Sequence, residues 1–447
     1  MAEPIISVSG LRGVVGESLD PVLASRFVAA FAAEIPAGAI VVTRDGRATG
    51  RMLADAISAS LRAVGRDVVD ADVAATPTTG VLVRDLGAAG GVQISASHNP
   101  PEYNGIKLFD GRGRVIPADA GQRVIEQYRS AATHWVRHDA VGGAAVCGDT
   151  TAAHLEKVLA CVDVERIRAA RYRVMLDANH GAGSVLGRPL LDALGCDVIV
   201  LGGDSDGKFA HPPEPTADNL ADVLEQVTAA GAAIGFCQDP DADRLAVIDE
   251  AGRYLGEEYT LAMCVDHVLR QRAGAVVTNC STSRMSEDLA AKYDVPFYRS
   301  KVGEANVCDV MIEHDAVIGG EGNGGVIDPR VGYVRDSFVG MALLLDAMAR
   351  RDVPVSRLAD ELPRYEIVKT KFTVDAAKVS ALLDELERSQ VDAAADRMDG
   401  LRLDWPGKWL LVRASNTEPI VRAIAEAPDR CEAERLCHAV EEALAAL

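Results

Sequence analysis

Three aspartates at alternate positions form a cluster with clear chemical potential. Residues 239–244 read Asp-Pro-Asp-Ala-Asp-Arg and follow the apolar run 233–236. Alternate spacing on an extended backbone can aim side chains at one point, and hard carboxylate oxygens suit Mg²⁺. A solvated acidic turn is the alternative interpretation. The spacing predicts a metal site made of Asp239, Asp241 and Asp243.

A serine loop follows another predicted strand. Residues 95–100 read Ser-Ala-Ser-His-Asn-Pro, directly after the strand predicted at 92–94. Ligands gather beyond the carboxyl ends of strands in open α/β sheets, so Ser97 is a candidate nucleophile or phosphate carrier. A turn serine before Asn-Pro is the common alternative. The pattern differs from the Gly-x-Ser-x-Gly turn of hydrolases, which weakens an esterase interpretation.

A turn rich in hydrogen-bond donors stands near the C-terminus. Residues 413–419 read Arg-Ala-Ser-Asn-Thr-Glu-Pro, and Arg422 follows. Guanidinium groups and hydroxyls in a short turn can grip a phosphate dianion. A capped turn with surface arginines is the alternative. Because the chain is otherwise acidic, this density of donors favours a phosphate site.

A glycine-rich loop is the fourth candidate. Residues 319–325 read Gly-Gly-Glu-Gly-Asn-Gly-Gly. Glycines let the backbone approach a ligand closely. Glu321 and Asn323, two residues apart, can point together at sugar hydroxyls. Such a loop is weak evidence by itself and gains weight only beside the other three motifs.

These loops need elements that position them, and β-branched runs alternate with amphipathic segments through most of the chain. Strands are predicted at 39–43, 92–94, 173–176, 197–201, 233–236, 275–278 and 316–318, and helices at 52–64, 185–194, 220–230 and 338–349. This alternation predicts α/β domains with parallel or mixed sheets. The last part differs: strands at 366–374, 401–403 and 409–413 and a closing helix at 431–447 indicate a smaller α+β unit.

The 447 residues are enough for several domains. Glycine-rich stretches at 142–148 and 252–256, together with Pro363, mark candidate limits. We therefore predict domain I at 1–148, domain II at 149–251, domain III at 252–364 and domain IV at 365–447.

The composition restricts the class of partner. The chain has 66 acidic and 46 basic residues, for a formal net charge of −20. Such a surface repels nucleic acid and anionic membranes, so we expect neither as a partner. Nine scattered cysteines without a CxxC pair, and an N-terminus without an apolar leader, favour a reduced cytoplasmic protein.

Taken in order, the four motifs resemble those of the α-D-phosphohexomutase superfamily. The similarity runs from residues 10–13, Gly-Leu-Arg-Gly, to Arg422 and so covers nearly the whole chain. It implies four domains around a central cleft, three related α/β domains with mixed sheets and a smaller C-terminal α+β domain. The implied partner is a small phosphosugar substrate, and the implied assembly is a monomer or homodimer.

The resemblance also implies a reaction. Phospho-Ser97 gives its phosphoryl group to a hexose monophosphate, the bisphosphate turns end for end, and the other phosphate returns to Ser97. Mg²⁺ held by Asp239, Asp241 and Asp243 against the Ser97 oxygen neutralises charge during the transfer. A hexose 1,6-bisphosphate is the implied activating primer.

Other positions inherit roles from the same resemblance. The implied catalytic group contains Arg12 and Arg244 as nearby positive charges, His98 beside the serine, and Lys107 for proton transfer. That last role needs a lowered lysine pKa. Glu321 and Asn323 are implied for sugar hydroxyls, and the remaining substrate contacts are implied for Gly303, Glu304, Arg413, Ser415, Asn416, Thr417 and Arg422.

Substrate choice depends on smaller signals. Residues 302–307, 321–325 and 415–416 look most like archaeal-type phosphoglucosamine mutases, so we expect conversion of glucosamine 6-phosphate to glucosamine 1-phosphate. Many relatives carry Ser at position 323, and several bacterial subgroups carry His at 325, so the substrate preference of the mannose and glucose enzymes does not transfer directly to this chain. Phosphomannomutase or phosphoglucomutase activity is the alternative. A phosphatase would instead release phosphate, and a non-catalytic sugar-phosphate binder would lack Ser97 or a metal ligand.

Overall fold

A computed structural model of the chain describes residues 4–8, 10–414, 420–445 and 447. In these residues the strands form four sheets. Three sheets combine parallel and antiparallel strands, whereas all pairs in the fourth are antiparallel. The predicted four-domain α/β architecture with a smaller C-terminal α+β domain is therefore confirmed. The domain limits that we placed from the sequence stay predictions.

Domain I contains the largest sheet. Its strands are β1 Ile5–Ser7, β2 Gly10–Val14, β3 Ile40–Arg44, β4 Val68–Val73, β5 Gly90–Ile94, β6 Tyr103–Asp110 and β7 Ala144–Val146. They lie in the order β1-β2-β6-β5-β3-β4-β7. The accompanying helices are α1 Pro21–Glu34, α2 Gly50–Ala63, α3 Thr76–Asp85 and α4 Ala118–Ser130, with a 3₁₀ turn at His138–Ala140.

Domains II and III each have a four-stranded mixed sheet. Domain II contains β8 Arg173–Asp177, β9 Asp197–Leu201, β10 Ile234–Gln238 and β11 Leu245–Asp249, with α5 Ala152–Leu159, α6 Val164–Ala170, α7 Gly183–Ala193 and α8 Ala221–Ala229. Domain III contains β12 Val276–Asn279, β13 Phe297–Ser300, β14 Ile318–Glu321 and β15 Gly325–Ile327, with α9 Glu257–Gln271, α10 Met285–Lys292, α11 Glu304–Glu313, α12 Ser337–Arg351 and α13 Val355–Asp360. Their strand orders are β11-β10-β8-β9 and β13-β12-β14-β15.

Domain IV is a five-stranded sheet with two helices. Its elements are β16 Glu366–Thr373, α14 Ala376–Ser389, β17 Ala394–Asp396, β18 Leu401–Trp405, β19 Lys408–Ala414, β20 Ile420–Ala427 and α15 Arg430–Ala445. The strand order is β16-β20-β19-β18-β17. No helix in the described part of the chain is both long and apolar enough to cross a membrane.

Capping residues set the start of helices that lie near the site. Pro21 begins α1 after Asp20, whose carboxylate accepts a hydrogen bond from the Leu23 amide at 2.7 Å. Asp336 precedes α12 and accepts from the amides of its first turn, at 2.9 Å and 3.2 Å. Each cap satisfies donors that the first helical turn leaves unpaired.

Buried apolar residues tie the first three domains more closely to one another than to the fourth. One cluster runs through domains II and III and includes Val81 of α3 and Ala75, the residue before that helix. Domain IV has its own cluster of apolar residues from β18, β19, β20, α14 and α15. A small cluster formed around Cys280, Trp409 and Leu411 joins domain IV to domain III.

Candidate active site

The serine loop begins where β5 ends at Ile94. Ser97 is 1% exposed, and its backbone lies in the left-handed region with φ at 50°. Its amide donates to Ser95 Oγ at 2.9 Å, so the preceding serine secures the turn. A buried hydroxyl in such a strained turn is held in one orientation by its surroundings.

Arg47 anchors this loop from the end of β3. It is 2% exposed and pairs with Asp45 at 3.0 Å. Its guanidinium donates to three carbonyl oxygens of the loop, those of Ser97 at 2.7 Å, Asn99 at 2.6 Å and Pro100 at 2.6 Å. Sequence reasoning missed this residue, although Asp45-Gly46-Arg47 directly after a buried strand was an available signal.

The three aspartates lie in the turn between β10 and β11. All three are fully buried, and each offers an oxygen within 4.8 Å of the others. Ser97 Oγ donates to Asp239 Oδ2 at 2.8 Å, although the two residues are 142 positions apart. Asp241 Oδ1 and Asp243 Oδ1 have no hydrogen-bond partner among the residues that the structure describes. The turn therefore presents carboxylate oxygens that fit a hard cation.

The pKa values of Asp239 and Asp243 shift in opposite directions. Burial, together with the neighbouring Asp241 and Asp243 carboxylates, raises the pKa of Asp239 well above its ordinary value. Burial also opposes ionisation of Asp243, but Arg335, Lys107 and Arg244 outweigh it and lower the pKa of that carboxyl. Mutual repulsion of this kind is what a bound cation relieves.

Lys107, on β6, crosses from domain I to the aspartate turn. Its Nζ donates to Asp241 Oδ2 at 2.5 Å and to Asp243 Oδ2 at 2.7 Å. Burial favours the neutral amine, yet the two carboxylates dominate and raise the pKa of Lys107 to about 12. A proton-transfer role would need a lowered pKa, and this shift has the opposite direction because both partners are anionic.

Three further predicted residues, a histidine and two arginines, lie around the serine and the aspartate turn. His98 Nδ1 lies 3.3 Å from Ser97 Oγ, and burial beside Arg244 and Arg12 lowers the pKa of His98 to about 3. Its imidazole is therefore neutral. Burial lowers the pKa of Arg12 as well, with Asp241 opposing the shift. Arg244 lies 3.8 Å from Asp243 Oδ1.

A cavity of about 480 Å³ opens beside these groups. Arg12, Lys107 and Arg244 form its domain I and II side, Glu321 and Asn323 lie on the domain III side, and Arg422 comes from domain IV. The predicted residues Gly303 and Glu304 also line it. The volume is within the range of small-molecule sites. The chain thus concentrates cations around a cavity despite its acidic surface.

Glu321 ends β14 and is held on both oxygens. Oε1 accepts from Asn279 Nδ2 at 2.7 Å and from the Gly303 amide at 3.1 Å. Oε2 accepts from Arg335 Nη1 at 2.6 Å. Asn323 Oδ1, two residues on, has no hydrogen-bond partner within the described ranges and lies at the cavity wall.

Arg335 is the second residue that sequence reasoning missed. It precedes the cap of α12, and its Nη2 donates to Asp243 Oδ2 at 2.6 Å. Although burial disfavours its charge, the surrounding carboxylates of Asp243, Glu304 and Glu321 raise the pKa of Arg335 well above its ordinary value. Burial raises the pKa of Glu304 as well. Only the fold brings Arg335 to this position.

The structure describes only part of the phosphate turn predicted in domain IV. Arg422, on β20, lines the cavity. In the strand register, Arg413 on β19 lies opposite Arg422 on β20. The Nε atom of Arg413 lies 3.4 Å from Asp399 Oδ1. The predicted residues Ser415, Asn416 and Thr417 lie outside the described residues.

Comparison with known proteins covers most of the chain. The sequence matches all four domains described for phosphoglucomutase/phosphomannomutase: alpha/beta/alpha domain I at 5–134, domain II at 152–252, domain III at 257–365 and the C-terminal domain at 370–443.

Full-length relatives and a solved structure agree with these matches. The chain is 37% identical to a phosphoglucomutase/phosphomannomutase of Thermococcus kodakarensis, over 94% of this chain and 93% of the relative. It is 32% identical to a phosphoglucosamine/phosphogalactosamine mutase of Sulfurisphaera tokodaii, over 98% of each chain. The crystal structure of a phosphoglucomutase/phosphomannomutase family protein from Burkholderia thailandensis superposes with a TM-score of 0.86 at 29% identity, covering 99% of this chain and 98% of that one.

Proposed function

Because the chain belongs to the phosphoglucomutase/phosphomannomutase family, we propose that it interconverts hexosamine 6-phosphate and 1-phosphate through a phosphoserine at Ser97. The observation that carries this proposal is the 2.8 Å hydrogen bond from Ser97 Oγ to Asp239. Lys107 and Arg244, which border these two loops, line the cavity beside them. The preferred substrate in this proposal is glucosamine 6-phosphate.

Asp239, Asp241 and Asp243 are the proposed ligands of Mg²⁺. The fit is supported by two unpartnered, fully buried carboxylate oxygens in the described turn and by the raised pKa of Asp239. When bound, Mg²⁺ supplies positive charge that stabilises the phosphoryl group in transfer. Both sides of the turn are fixed by neighbouring domains, so the ligands are oriented before substrate arrives.

Ser97 is the proposed phosphate carrier. In the forward step the bond from Ser97 Oγ to phosphorus breaks, a bond from a sugar hydroxyl oxygen to phosphorus forms, and the hydroxyl proton ends on Ser97 Oγ. Lys107, Arg12 and Arg244 add positive charge beside the transferring group. His98 is neutral at this position and so leaves that charge balance unchanged.

The opposite end of the cavity is the proposed seat of the phosphate that does not react. Arg422 contributes a guanidinium there, and Glu321 and Asn323 lie between the two ends. Asn323 and Glu321 both line the cavity, and their amide and carboxylate are the proposed contacts of the sugar hydroxyls. After the first transfer the bisphosphate reverses, and the same two phosphate sites serve the second transfer.

Glucosamine phosphate is the substrate that we favour over mannose or glucose phosphate. The motifs in residues 302–307 and 321–325 support this choice, as does the similarity to a phosphoglucosamine/phosphogalactosamine mutase over 98% of the chain. Because the chain is also similar to a phosphoglucomutase/phosphomannomutase, mannose and glucose phosphates are included in the test.

A substrate panel tests the proposal. Glucosamine, mannose and glucose 6-phosphates are each incubated with the protein, Mg²⁺ and a trace of glucose 1,6-bisphosphate as primer, and 1-phosphates and inorganic phosphate are measured. We expect isomer interconversion, with the highest kcat/KM for glucosamine 6-phosphate. A higher kcat/KM for mannose or glucose would overturn the sugar assignment. Steady phosphate release without isomer formation would replace the mutase by a phosphatase.

A further inference from the structure

We propose that Arg335 is a positioning residue that couples the glycine-rich loop to the aspartate turn, and that its side chain is the reason residue 325 is glycine. The inference rests on the proposed function, because those two loops are the ones assigned to sugar and to metal. It concerns a residue outside all four sequence motifs.

The guanidinium of Arg335 joins two loops from different domains. Nη1 donates to Glu321 Oε2 at 2.6 Å and Nη2 donates to Asp243 Oδ2 at 2.6 Å. Its backbone amide also donates to Glu304 Oε1 at 2.7 Å. Because the guanidinium is planar and rigid, its two ends set the distance and angle between Glu321 and Asp243.

Glu321 depends on this contact for its orientation. Its other oxygen, Oε1, is held by two donors from domain III, whereas Oε2 has Arg335 at 2.6 Å and the side-chain Nδ2 of Asn323 only at 3.5 Å. Without Arg335, the Oε2 oxygen would lose its one short hydrogen bond in the described structure. Three buried carboxylates, those of Asp243, Glu304 and Glu321, would also lose the cation that they share, although Asp243 would keep its contact with Lys107.

Gly325 occupies the space beside the stem of Arg335. Its backbone φ lies outside the left-handed region, so conformation alone does not require glycine. A Cβ built there would stand 2.8 Å from Arg335 Cγ and closer still to Cδ. The stem cannot swing aside, because ion pairs hold the guanidinium at both ends. A side chain at position 325, such as the His of several bacterial subgroups, and Arg335 therefore exclude one another.

A thermal cycle tests the steric half without using activity. Tm is measured for the full-length wild type, Gly325→Ala, Arg335→Ala and the double variant. We expect Gly325→Ala to lower Tm by about 3 °C or more in the wild-type background and by less than about 1 °C beside Arg335→Ala, because the stem is then absent. An equal loss in both backgrounds would overturn this half.

A kinetic cycle tests the positioning half with a variant that keeps the charge. Arg335→Lys supplies one donor point that cannot bridge both carboxylates. We expect Arg335→Lys to lower kcat/KM for glucosamine 6-phosphate by about 10-fold to 100-fold, mostly through a higher KM. If Arg335 acts through Glu321, adding Glu321→Gln to this variant should lower kcat/KM little further. Losses that multiply in the double variant, or normal kinetics of Arg335→Lys, would refute the coupling.

Arg330→Lys is the matched control, since Arg330 lies in the same loop, is about one-third exposed and pairs with Asp328 instead. Its kinetics should equal those of the wild type. If the wild type interconverts no phosphosugar at all, the proposed function fails, whereas the Tm cycle still decides whether Arg335 excludes a side chain at position 325.

Discussion

The two ends of the cavity are built in different ways. At the serine end, backbone and side chains of three domains interlock. The Thr76 hydroxyl of domain I donates to Asp241 Oδ2 at 2.5 Å, and the Leu245 amide donates to the Gly324 carbonyl of domain III at 3.1 Å. The Ser337 hydroxyl further holds the carbonyl of residue 242 at 2.7 Å. The reacting end is therefore set by contacts that no single domain could supply.

The Arg422 end belongs to a domain with a separate core. Domain IV meets domain III through Trp409, which is fully buried and donates to Glu426 Oε1 at 2.8 Å. The same oxygen accepts from the Arg284 amide of domain III at 2.9 Å. Next to this joint, a cavity of about 330 Å³ is lined by Glu257, Glu258, Lys369 and Glu426 among others. The serine end therefore lies among interlocked domains, whereas Arg422 lies on a domain that has its own apolar core and shares only a small apolar cluster with domain III.

Removal of the Ser97 hydroxyl should have the largest effect on mutase turnover. Ser97→Ala removes the group that accepts the phosphoryl, so we expect mutase turnover to fall by about 10⁴-fold or more. Turnover is measured with primer present, and phosphorylation is followed by intact mass. Ser95→Ala, in the same turn, keeps the carrier and should lose much less. Near-normal turnover of Ser97→Ala would remove the central assignment.

Weakening the aspartate turn should have the next largest effect. Asp241→Asn replaces a charged ligand by a neutral amide, so we expect a loss of about 10²-fold to 10⁴-fold in kcat and a higher Mg²⁺ requirement. Titration of the rate with Mg²⁺ measures both. Asp249→Asn is the control, because Asp249 lies at the far end of the same hairpin and pairs with Arg253. A rate and Mg²⁺ dependence equal to those of the wild type would refute the metal site.

A change at the domain IV end should act on binding rather than on chemistry. Arg422→Ala removes a donor to the remote phosphate, so we expect KM to rise about 10-fold for every phosphosugar alike, with a smaller change in kcat. Arg388→Ala, an exposed residue of the same domain paired with Glu385, serves as control. A rise confined to one sugar would show that Arg422 reads the sugar instead, and the contrast between the two ends would lose its basis.

The free energy of unfolding should depend modestly on pH through Glu258, which lines the cavity next to the joint. Burial raises the pKa of Glu258 from 4.5 to about 8, so between these pH values the unfolded chain releases a proton that the folded chain keeps. This group therefore lowers the free energy of unfolding as pH rises through that window. Glu258→Gln should flatten the decline, as measured by urea unfolding at pH 5 and pH 8. An equal decline in both proteins would contradict the assigned protonation.

Much of the fold follows from local periodicity. The strand predicted at 197–201 has those bounds, and the helix predicted at 52–64 lies at Gly50–Ala63. The second strand of the first sheet escaped prediction, because β2 reads Gly-Leu-Arg-Gly-Val and lacks an apolar run. Its place is set by antiparallel pairing with β6, about 90 residues away, which no local pattern reveals.

The site residues also divide into those that a local sequence motif predicts and those that only the fold brings together. Ser97 and the aspartates stand in recognisable local motifs, so their association could be predicted before the fold was known. Arg335 could not be found, because its contact with Asp243 spans 92 residues and its own neighbourhood carries no motif. The direction of the pKa shift at Lys107 could not be read from the sequence for a related reason, since its two carboxylate partners come from another domain.

The backbone at Ser97 restricts which amino acid can do this work. Threonine offers the same kind of hydroxyl and forms a phosphate ester just as serine does, so solution chemistry does not separate them. At a φ of 50°, however, a β-branched side chain crowds its own backbone, and the left-handed region strongly disfavours it. The geometry of one turn thus commits the chain to serine, although the chemistry of phosphate esters would accept either alcohol.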